Sequence, residues 1–479
     1  MNTNKNNNLK TMVWKFSKIA LAIFSVAMFL VSCNPMSVEQ PKPNVIYILA
    51  DDMGYNVPGV YGGELIKTPH IDQLANNGLL FTEAYAGNSV CAPSRASLLT
   101  GLHTGHTSLR GNTGGISIKD SDITIAEVLK QAGYKTGGFG KWGLGDVGTE
   151  GIPEKQGFDR FFGYYHQIHA HFYYTDYLWE NSNKIPVLNK EGDAGSYTHY
   201  RIMKEMKDFI KENKSGPFFC FGSWTIPHTD DIGLAQIPET DPAYLLYKDE
   251  AWSEQSKKYA AMNTLFDSGV GEILSLLQEL GIEENTLVIF ASDNGGGNTF
   301  DEVFDVSGKL RGFKHQFYEG GIKVPFVAYW KGKIQPGTKS EIQTCFADIM
   351  PTLAELAGAD QYLPSNIDGI SLVPTLLQKG EQILHDYMYW ELPAFDWENS
   401  CYEKHGLQQA IRKDNWKLLR HDQLQPWELY NLEKDPMEQN NLASANQELV
   451  EELIRKIQEN RTEMPVQIEP KMEDGKWYR

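Results

Sequence analysis

Cys91 opens the string Cys91-Ala92-Pro93-Ser94-Arg95, which continues through Ala96-Ser97-Leu98-Leu99 to Thr100-Gly101. Pro93 suits the first turn of a helix, where its missing N–H would have no partner anyway, and Gly101 suits a helix end that needs a left-handed residue. Cys91 would then stand at a helix N-terminus, where unpaired amides and aligned peptide dipoles favour an anion. Arg95, four residues on, shares that face and can hold the centre in place. A cysteine taken alone here reads more simply as a buried residue before a capped helix. Asp51-Asp52 and Asp293-Asn294 are two further polar pairs. They offer only oxygen donors, which suits a hard cation and argues against zinc or copper. Any one of these aspartates alone would read as a strand-end cap.

Both pairs close short apolar runs. Asn44-Val45-Ile46-Tyr47-Ile48-Leu49 leads into Asp51, and Thr286-Leu287-Val288-Ile289-Phe290-Ala291-Ser292 leads into Asp293. Runs of this length and β-branched content read as buried strands. Two of them delivering carboxylates at their C-terminal ends point to an open α/β sheet with its site along that edge. Between them the pattern predicts helices over 123–131, 197–212 and 255–280, with strands over 134–139 and 217–224. That alternation suits a mostly parallel sheet covered on both faces. Beyond Lys379 the texture changes. Residues 387–390, 409–412 and 416–419 read as short antiparallel strands and 446–460 as a closing helix, together a second, smaller domain. No internal repeat or low-complexity tract interrupts the chain.

With 479 residues, 41% hydrophobic and 22% charged, the chain has length for one large domain and a smaller one. Its formal charge is -18, and the first 32 residues hold four lysines (Lys5, Lys10, Lys15, Lys18) and no acid, so the remainder is more acidic still. This disfavours nucleic acid as a partner and requires a locally basic site for any anionic substrate. After Lys18 an uncharged apolar run, 19–31, is too short to span a bilayer comfortably and reads as a targeting segment. It ends in Leu30-Val31-Ser32-Cys33, which resembles the bacterial lipobox, where the chain is cut before a cysteine that is then lipidated. The expectation is an exported protein, lipid-anchored at Cys33 in the bacterial envelope, in the periplasm or on the cell surface. A plain signal peptide is the alternative. The organisation read from the sequence is a signal peptide over 1–32, a linker over 33–43, a catalytic domain over 44–382 and a C-terminal subdomain over 383–479. The five cysteines show no CxxC spacing and no zinc site, and Cys220, among Phe218, Phe219 and Phe221, reads as a buried small hydrophobe.

The string C-x-P-S-R followed by T-G resembles the signature of the type I sulfatases of the alkaline phosphatase superfamily. The similarity extends through Phe346-Ala347-Asp348-Ile349-Met350-Pro351-Thr352 and Trp427-Glu428-Leu429-Tyr430-Asn431-Leu432. It implies an α/β fold: an alkaline-phosphatase-like, mostly parallel sheet flanked by helices, plus a smaller C-terminal α+β domain with a short antiparallel sheet. It implies that a dedicated maturase oxidises Cys91 to formylglycine. The hydrated aldehyde would attack sulfur with one hydroxyl, and the second would later lose its proton and expel sulfate. The resemblance places one Ca²⁺ on Asp51, Asp52, Asp293, Asn294 and the modified Cys91. Gly140-Lys141-Trp142 matches the family at Lys141, Pro227-His228 at His228, and Lys309-Leu310-Arg311-Gly312-Phe313-Lys314 at Lys314. The register of Lys314 is fixed by Glu319-Gly320-Gly321-Ile322-Lys323-Val324-Pro325. Lys141 is assigned to the nucleophile's hydroxyls, and His228 with Lys314 to the sulfate oxygens and leaving group, since ester cleavage needs positive charge and an acid. Taken singly, these lysines would read as solvated charges and the histidine as a satisfied polar group.

One position departs from the pattern. Many sulfatases read Gly-Lys-Trp-His-Leu-Gly where this chain has Gly140-Lys141-Trp142-Gly143-Leu144-Gly145. The tract His166-Gln167-Ile168-His169-Ala170-His171 is a candidate source of a replacement, with His169 and His171 as candidate substrate or catalytic contacts; a metal-binding tract or plain loop surface are the other readings. Regions 161–213 and 392–406 look individual and are expected to select substrate, with Trp390, Trp397 and His405 as sugar contacts. The resulting expectation is hydrolysis of a sulfate monoester on a carbohydrate, with galactose or N-acetylgalactosamine sulfate favoured. The rivals are a phosphodiester or phosphonate monoester hydrolase of the same superfamily, and a non-catalytic protein that binds sulfated glycans, which Gly143 suggests.

Overall fold

The run 44–50 is apolar on both sides of its pleat, and in the computed structural model it is the strand at the centre of the sheet. The structure describes residues 42–114, 116–396 and 401–465. The targeting segment, Cys33, the linker up to residue 41, and Trp397 lie outside the described residues. In chain order the strands are β1 (Asn44–Ala50), β2 (Leu79–Phe81), β3 (Ala84–Tyr85), β4 (Lys135–Lys141), β5 (Arg160–Tyr164), β6 (Tyr177–Glu180), β7 (Asn183–Pro186) and β8 (Phe218–Ser223). There follow β9 (Thr286–Ser292), β10 (Phe326–Tyr329), β11 (Thr338–Ser340), β12 (Thr344–Cys345), β13 (Met388–Asp396), β14 (Cys401–Lys413), β15 (Trp416–Arg420) and β16 (Glu428–Asn431).

The main sheet has ten strands in the order β11-β2-β10-β9-β1-β8-β4-β5-β6-β7. Its centre is parallel: β1 pairs with β8 on one side and β9 on the other, and β4 pairs with β8 and β5. Antiparallel pairing is confined to its flanks, at β10 and at the β6–β7 hairpin. Alternate residues of β1 serve separate cores. Ile46, Ile48 and Ala50 face a core shared with Ile202, Met206 and Phe209 of helix Thr198–Asn213 and with Phe266 and Val270 of helix Glu254–Glu279. Val45, Tyr47 and Leu49 face a second core with Leu98 and Leu99 of helix Cys91–Thr100 and Leu353 of helix Ile349–Ala357. Burial on both faces explains why the run carries no polar alternation. The helix expected over 123–131 begins at Ile125 behind a reciprocal cap between Thr124 and Glu127.

β13 to β16 form an antiparallel four-stranded sheet. One face, with Met388, Trp390, Ala410 and Leu419, packs on Tyr85, Val90, Phe317 and Ile322 of the main body. The other, with Ile411, Leu418 and Leu429, packs on Leu453 and Ile457 of helix Gln447–Glu459. The fold class read from the sequence is the one observed. Trp390 is a correction. Expected at a sugar, it is 1% exposed in the contact between the C-terminal sheet and the main body, and its indole N–H donates to Ala86 O at 2.8 Å. His405 is exposed on β14.

Candidate active site

Strand register brings the acidic pairs together. Ala50 lies opposite Ser292 in the parallel β1–β9 pair, so Asp51 and Asp293 leave the sheet side by side, and Asp293 N–H donates to Ala50 O at 2.9 Å. The next residue turns sharply: Asp52 has φ 66°, a left-handed conformation that costs a non-glycine residue about 1–3 kcal/mol. Local bonds hold it there. Asp52 N–H donates to Asp293 Oδ1 at 3.1 Å, and Asn294 Nδ2 donates to Asp52 Oδ1 at 2.7 Å. Asn294 Oδ1 is buried and has no hydrogen-bond partner among the described residues.

Cys91 is the first residue of its helix, as its string predicts, and Gly101 closes that helix at φ 70°. The thiol Sγ lies 3.2 Å from Asp51 Oδ1 and 3.8 Å from Asp52 Oδ1. Burial first, and then the Asp293 and Asp51 carboxylates, push its pKa far above the ordinary thiol range. A group so hard to ionise is a poor thiolate nucleophile in spite of the helix dipole.

Arg95 is fully buried and clamps the strand ends. Its Nε and Nη2 donate to Asp293 Oδ2 at 3.0 and 2.7 Å, and its Nη1 donates to Lys141 O at 3.0 Å and to Ser223 Oγ. Burial and Asp51 raise the Asp293 carboxyl to about 6 against the opposing pull of Arg95. Lys141, the last residue of β4, is buried with Nζ 2.7 Å from Asp51 Oδ2. Lys314 Nζ lies 2.6 Å from Asp52 Oδ2 and 3.1 Å from His228 Nε2. Burial and the neighbouring Lys314 hold the His228 pKa well below the usual imidazole value, so the ring is neutral at neutral pH. Its Nδ1 faces Thr229 O at 2.5 Å and must carry the proton, which leaves Nε2 to accept from Lys314.

The two candidate histidines part company. His171 stacks on His228 with ring centroids 4.3 Å apart, and its Nε2 is buried without a hydrogen-bond partner among the described residues. His169 instead bonds Thr175 Oγ1 at 2.9 Å and packs edge-on against Tyr164, inside the wall. A cavity of about 220 Å³ opens beside Asp52, His228 and Lys314, with Tyr259 and Phe300 lining it further out. Ser223 and Asn112 also belong to this neighbourhood. Ser223 ends β8 and bonds Arg95, while Asn112 Oδ1 accepts the Ala92 N–H at 2.9 Å beside Cys91. Ser223 follows the same strand-end logic as Asp51 and was within reach of the sequence; Asn112 sits in a loop with no pattern to mark it.

A mostly parallel sheet whose strand ends gather carboxylates, lysines and a helix N-terminus in this way defines an alkaline-phosphatase-like ester hydrolase. The Sulfatase family profile matches residues 43–359, and the profile of the N-sulphoglucosamine sulphohydrolase C-terminal region matches residues 310–464. The chain belongs to the sulfatase family and is a sulfuric ester hydrolase. It is similar to human arylsulfatase A, 33% identical over 453 residues, covering 85% of this chain and 84% of that protein. It is also similar to human N-acetylgalactosamine-6-sulfatase, 33% identical over 367 residues, covering 70% of this chain and 66% of the relative. Among solved structures, Ps i-CgsB in complex with k-i-k-neocarrahexaose superposes with a TM-score of 0.74 at 26% identity, covering 90% of this chain and 95% of that one. PsFucS1 sulfatase from Pseudoalteromonas sp. superposes with a TM-score of 0.68 at 26% identity, covering 88% and 92%.

Proposed function

We propose that this sulfatase hydrolyses sulfate monoesters on a carbohydrate, using formylglycine made from Cys91 by a maturase and one Ca²⁺ held by Asp51, Asp52, Asp293 and Asn294. The observation that carries the reading is the position of Cys91. Its Sγ touches Asp51 and Asp52, the two carboxylates on which Lys141 and Lys314 stand, although its own thiol is held protonated. The donor set fits the cation, since it is all oxygen and includes the buried Asn294 Oδ1, which has no hydrogen-bond partner among the described residues. Bound there, Ca²⁺ supplies fixed positive charge beside the nucleophile. The hydrated aldehyde at position 91 would offer one hydroxyl to attack sulfur as the sugar alcohol leaves with a proton, and a second that would then lose its proton, re-form the C=O bond and release sulfate.

The chain's own residues do the rest. Arg95 fixes Asp293 and the ends of β4 and β8, so the ligands stay at one depth. Lys141 orients the hydroxyls at position 91 from its place on Asp51. Lys314 and His228 face the cavity, where sulfate oxygens and the departing alkoxide would lie. His228 is neutral with its single proton committed to Thr229 O, so the proton available to the leaving group resides on Lys314 Nζ. His171, stacked on His228, is the candidate contact for the sugar.

A carbohydrate substrate is supported by two similar proteins, N-acetylgalactosamine-6-sulfatase and the structure solved with k-i-k-neocarrahexaose. Galactose or N-acetylgalactosamine sulfate is the favoured class. Export and a lipid anchor at Cys33 complete the proposal, placing the enzyme where such glycans are met. The test is mass spectrometry of the Cys91 peptide from protein made with a maturase, paired with sulfate release from a panel of sulfated monosaccharides. Aldehyde at Cys91 with turnover of a galactose or N-acetylgalactosamine sulfate is expected. An unmodified thiol in active enzyme would overturn the mechanism, and faster turnover of an aryl phosphodiester than of an aryl sulfate would favour the rival hydrolase.

A further inference from the structure

At Gly143 the backbone has φ 75°, and a Cβ built there would lie 2.5 Å from Gln167 Oε1. The space where a side chain at 143 would begin is therefore taken by the side chain of Gln167. The sheet brings the two together: Trp142 N–H donates to Tyr164 O at 2.9 Å and Gly143 N–H to Tyr165 O at 3.0 Å, which carries the β4–β5 pairing past the strand ends. Gln167 is 4% exposed. Its Nε2 lies 3.4 Å from Asn112 Oδ1, the same oxygen that accepts the amide of Ala92, so the side chain is linked through Asn112 to the helix end that begins with Cys91. Its Oε1 is buried and has no hydrogen-bond partner among the described residues. A buried amide oxygen left unbonded is rare in a native fold, so a donor is expected at this place. A thiol is a weak donor, and that of Cys91 is directed at Asp51.

We propose that Gln167 Oε1 accepts a hydrogen bond from one hydroxyl of the hydrated aldehyde at position 91, which makes Gln167 a positioning residue for the nucleophile. This rests on the formylglycine reading above. An amide oxygen accepts a hydrogen bond but does not take up the proton at neutral pH, so Gln167 orients the hydroxyl and favours the hydrate while adding no titrating group to the site. Gly143 is then part of the same device, because any larger residue would displace Gln167 from its place.

The experiment compares the wild type with Gln167→Met, which keeps length and loses the acceptor, and Gln167→Glu, which keeps an acceptor and adds a titrating group. Aldehyde content at position 91 is measured by mass spectrometry and folding by the melting curve. The expected outcome for Gln167→Met is a kcat lower by about 10- to 100-fold with KM within about threefold. Its aldehyde should also react several-fold faster with an aminooxy reagent, because less of it is hydrated; this readout needs no turnover. Gln167→Glu should restore slow aminooxy reaction and part of kcat, with a new acidic limb in its pH profile. Aldehyde-bearing Gln167→Met that matches the wild type in kcat and aminooxy rate would overturn this proposal and leave the formylglycine reading intact. Wild type that releases sulfate with an unmodified Cys91 would overturn both. Should Gln167→Met not fold, Gln167→Glu decides: fast aminooxy reaction in that folded variant would sink the proposal.

Discussion

Asp51 and Asp52 are neighbours in sequence yet serve different cations, Lys141 for the first and Lys314 for the second. Lys314 alone also bonds His228, so its loss removes both the charge near the leaving group and the donor that polarises the histidine. Lys314→Met should lower kcat by about 100- to 1,000-fold, as removal of one preorganised electrostatic donor does elsewhere, with aldehyde content at Cys91 unchanged. Sulfate release at saturating substrate measures it, and a loss under fivefold would remove Lys314 from the chemistry. Away from the site, His385 makes a sharper pH statement. Burial alone would lower its pKa, but the Asp348 carboxylate 2.8 Å away, with Cys345 beside it, raises it to about 11. A histidine whose folded pKa is raised contributes stability that is complete below its unfolded value of about 6.5 and is lost as pH climbs toward the folded value. His385→Gln should therefore cost about 3–5 kcal/mol near pH 6, the range for breaking a buried pair, and markedly less near pH 10. Melting temperatures of both proteins across that range give the answer; a pH-independent difference would contradict it.

Among the contacts between the C-terminal sheet and the segment that carries Lys314 is a buried ion cluster. Lys417 on β15 lies 2.8 Å from Glu319 Oε1 and 2.9 Å from Glu438 Oε1, while Glu319 Oε2 accepts from Tyr85 at 2.6 Å. Burial would raise the Glu319 carboxyl, but Lys417, Lys323 and Arg412 reverse this and hold it at about 2. Glu319 is five residues from Lys314, so the cluster fixes the segment that presents the lysine proposed for catalysis. Lys417→Met leaves buried Glu438 without its ion-pair partner and Glu319 with only Lys323 and Arg412 nearby, and should destabilise the protein by about 3–5 kcal/mol, whereas adding Glu319→Gln and Glu438→Gln should recover much of that loss. Urea melts of the two variants distinguish this from simple loss of packing, which the extra substitutions would not repair. Elements differed in how far the sequence revealed them. β1 and β9 were legible because burial on both faces leaves an unbroken apolar run. β14 runs over 13 residues where only four were expected, because its N-terminal half is largely exposed and carries no apolar alternation. The β6–β7 hairpin turns at Asn181 with φ 46° and lies at the sheet edge, where pairing imposes little apolar pattern. At the site, the motif strings contained Cys91, Lys141, His228 and Lys314, whereas Gln167 was hidden among histidines that drew the eye, and its relevance depends on a register that only the folded sheet supplies.

At the scale of the molecule, charge sets how substrate arrives. The chain carries a formal net charge of -18, yet the site pairs three carboxylates, Asp51, Asp52 and Asp293, with three cations, Arg95, Lys141 and Lys314. Binding at contact is then local, while the field felt farther out is that of an acidic body. A polysulfated oligosaccharide approaching from solvent is repelled once it comes within a screening length of the acidic surface, and that range shrinks from about 30 Å at 0.01 M to about 8 Å at 0.15 M ionic strength. Raising monovalent salt across that range at fixed Ca²⁺ should therefore increase kcat/KM for a multiply sulfated oligosaccharide by several-fold. A monosulfated sugar, with one charge to repel, should respond much less, which separates long-range repulsion from any effect of salt on the site itself. Proteins that attract polyanions through a basic face show the opposite slope. A fall in kcat/KM with salt for the oligosaccharide would mean that a cationic patch around the cavity steers the chain in, and that charge at the mouth outweighs the acidic body.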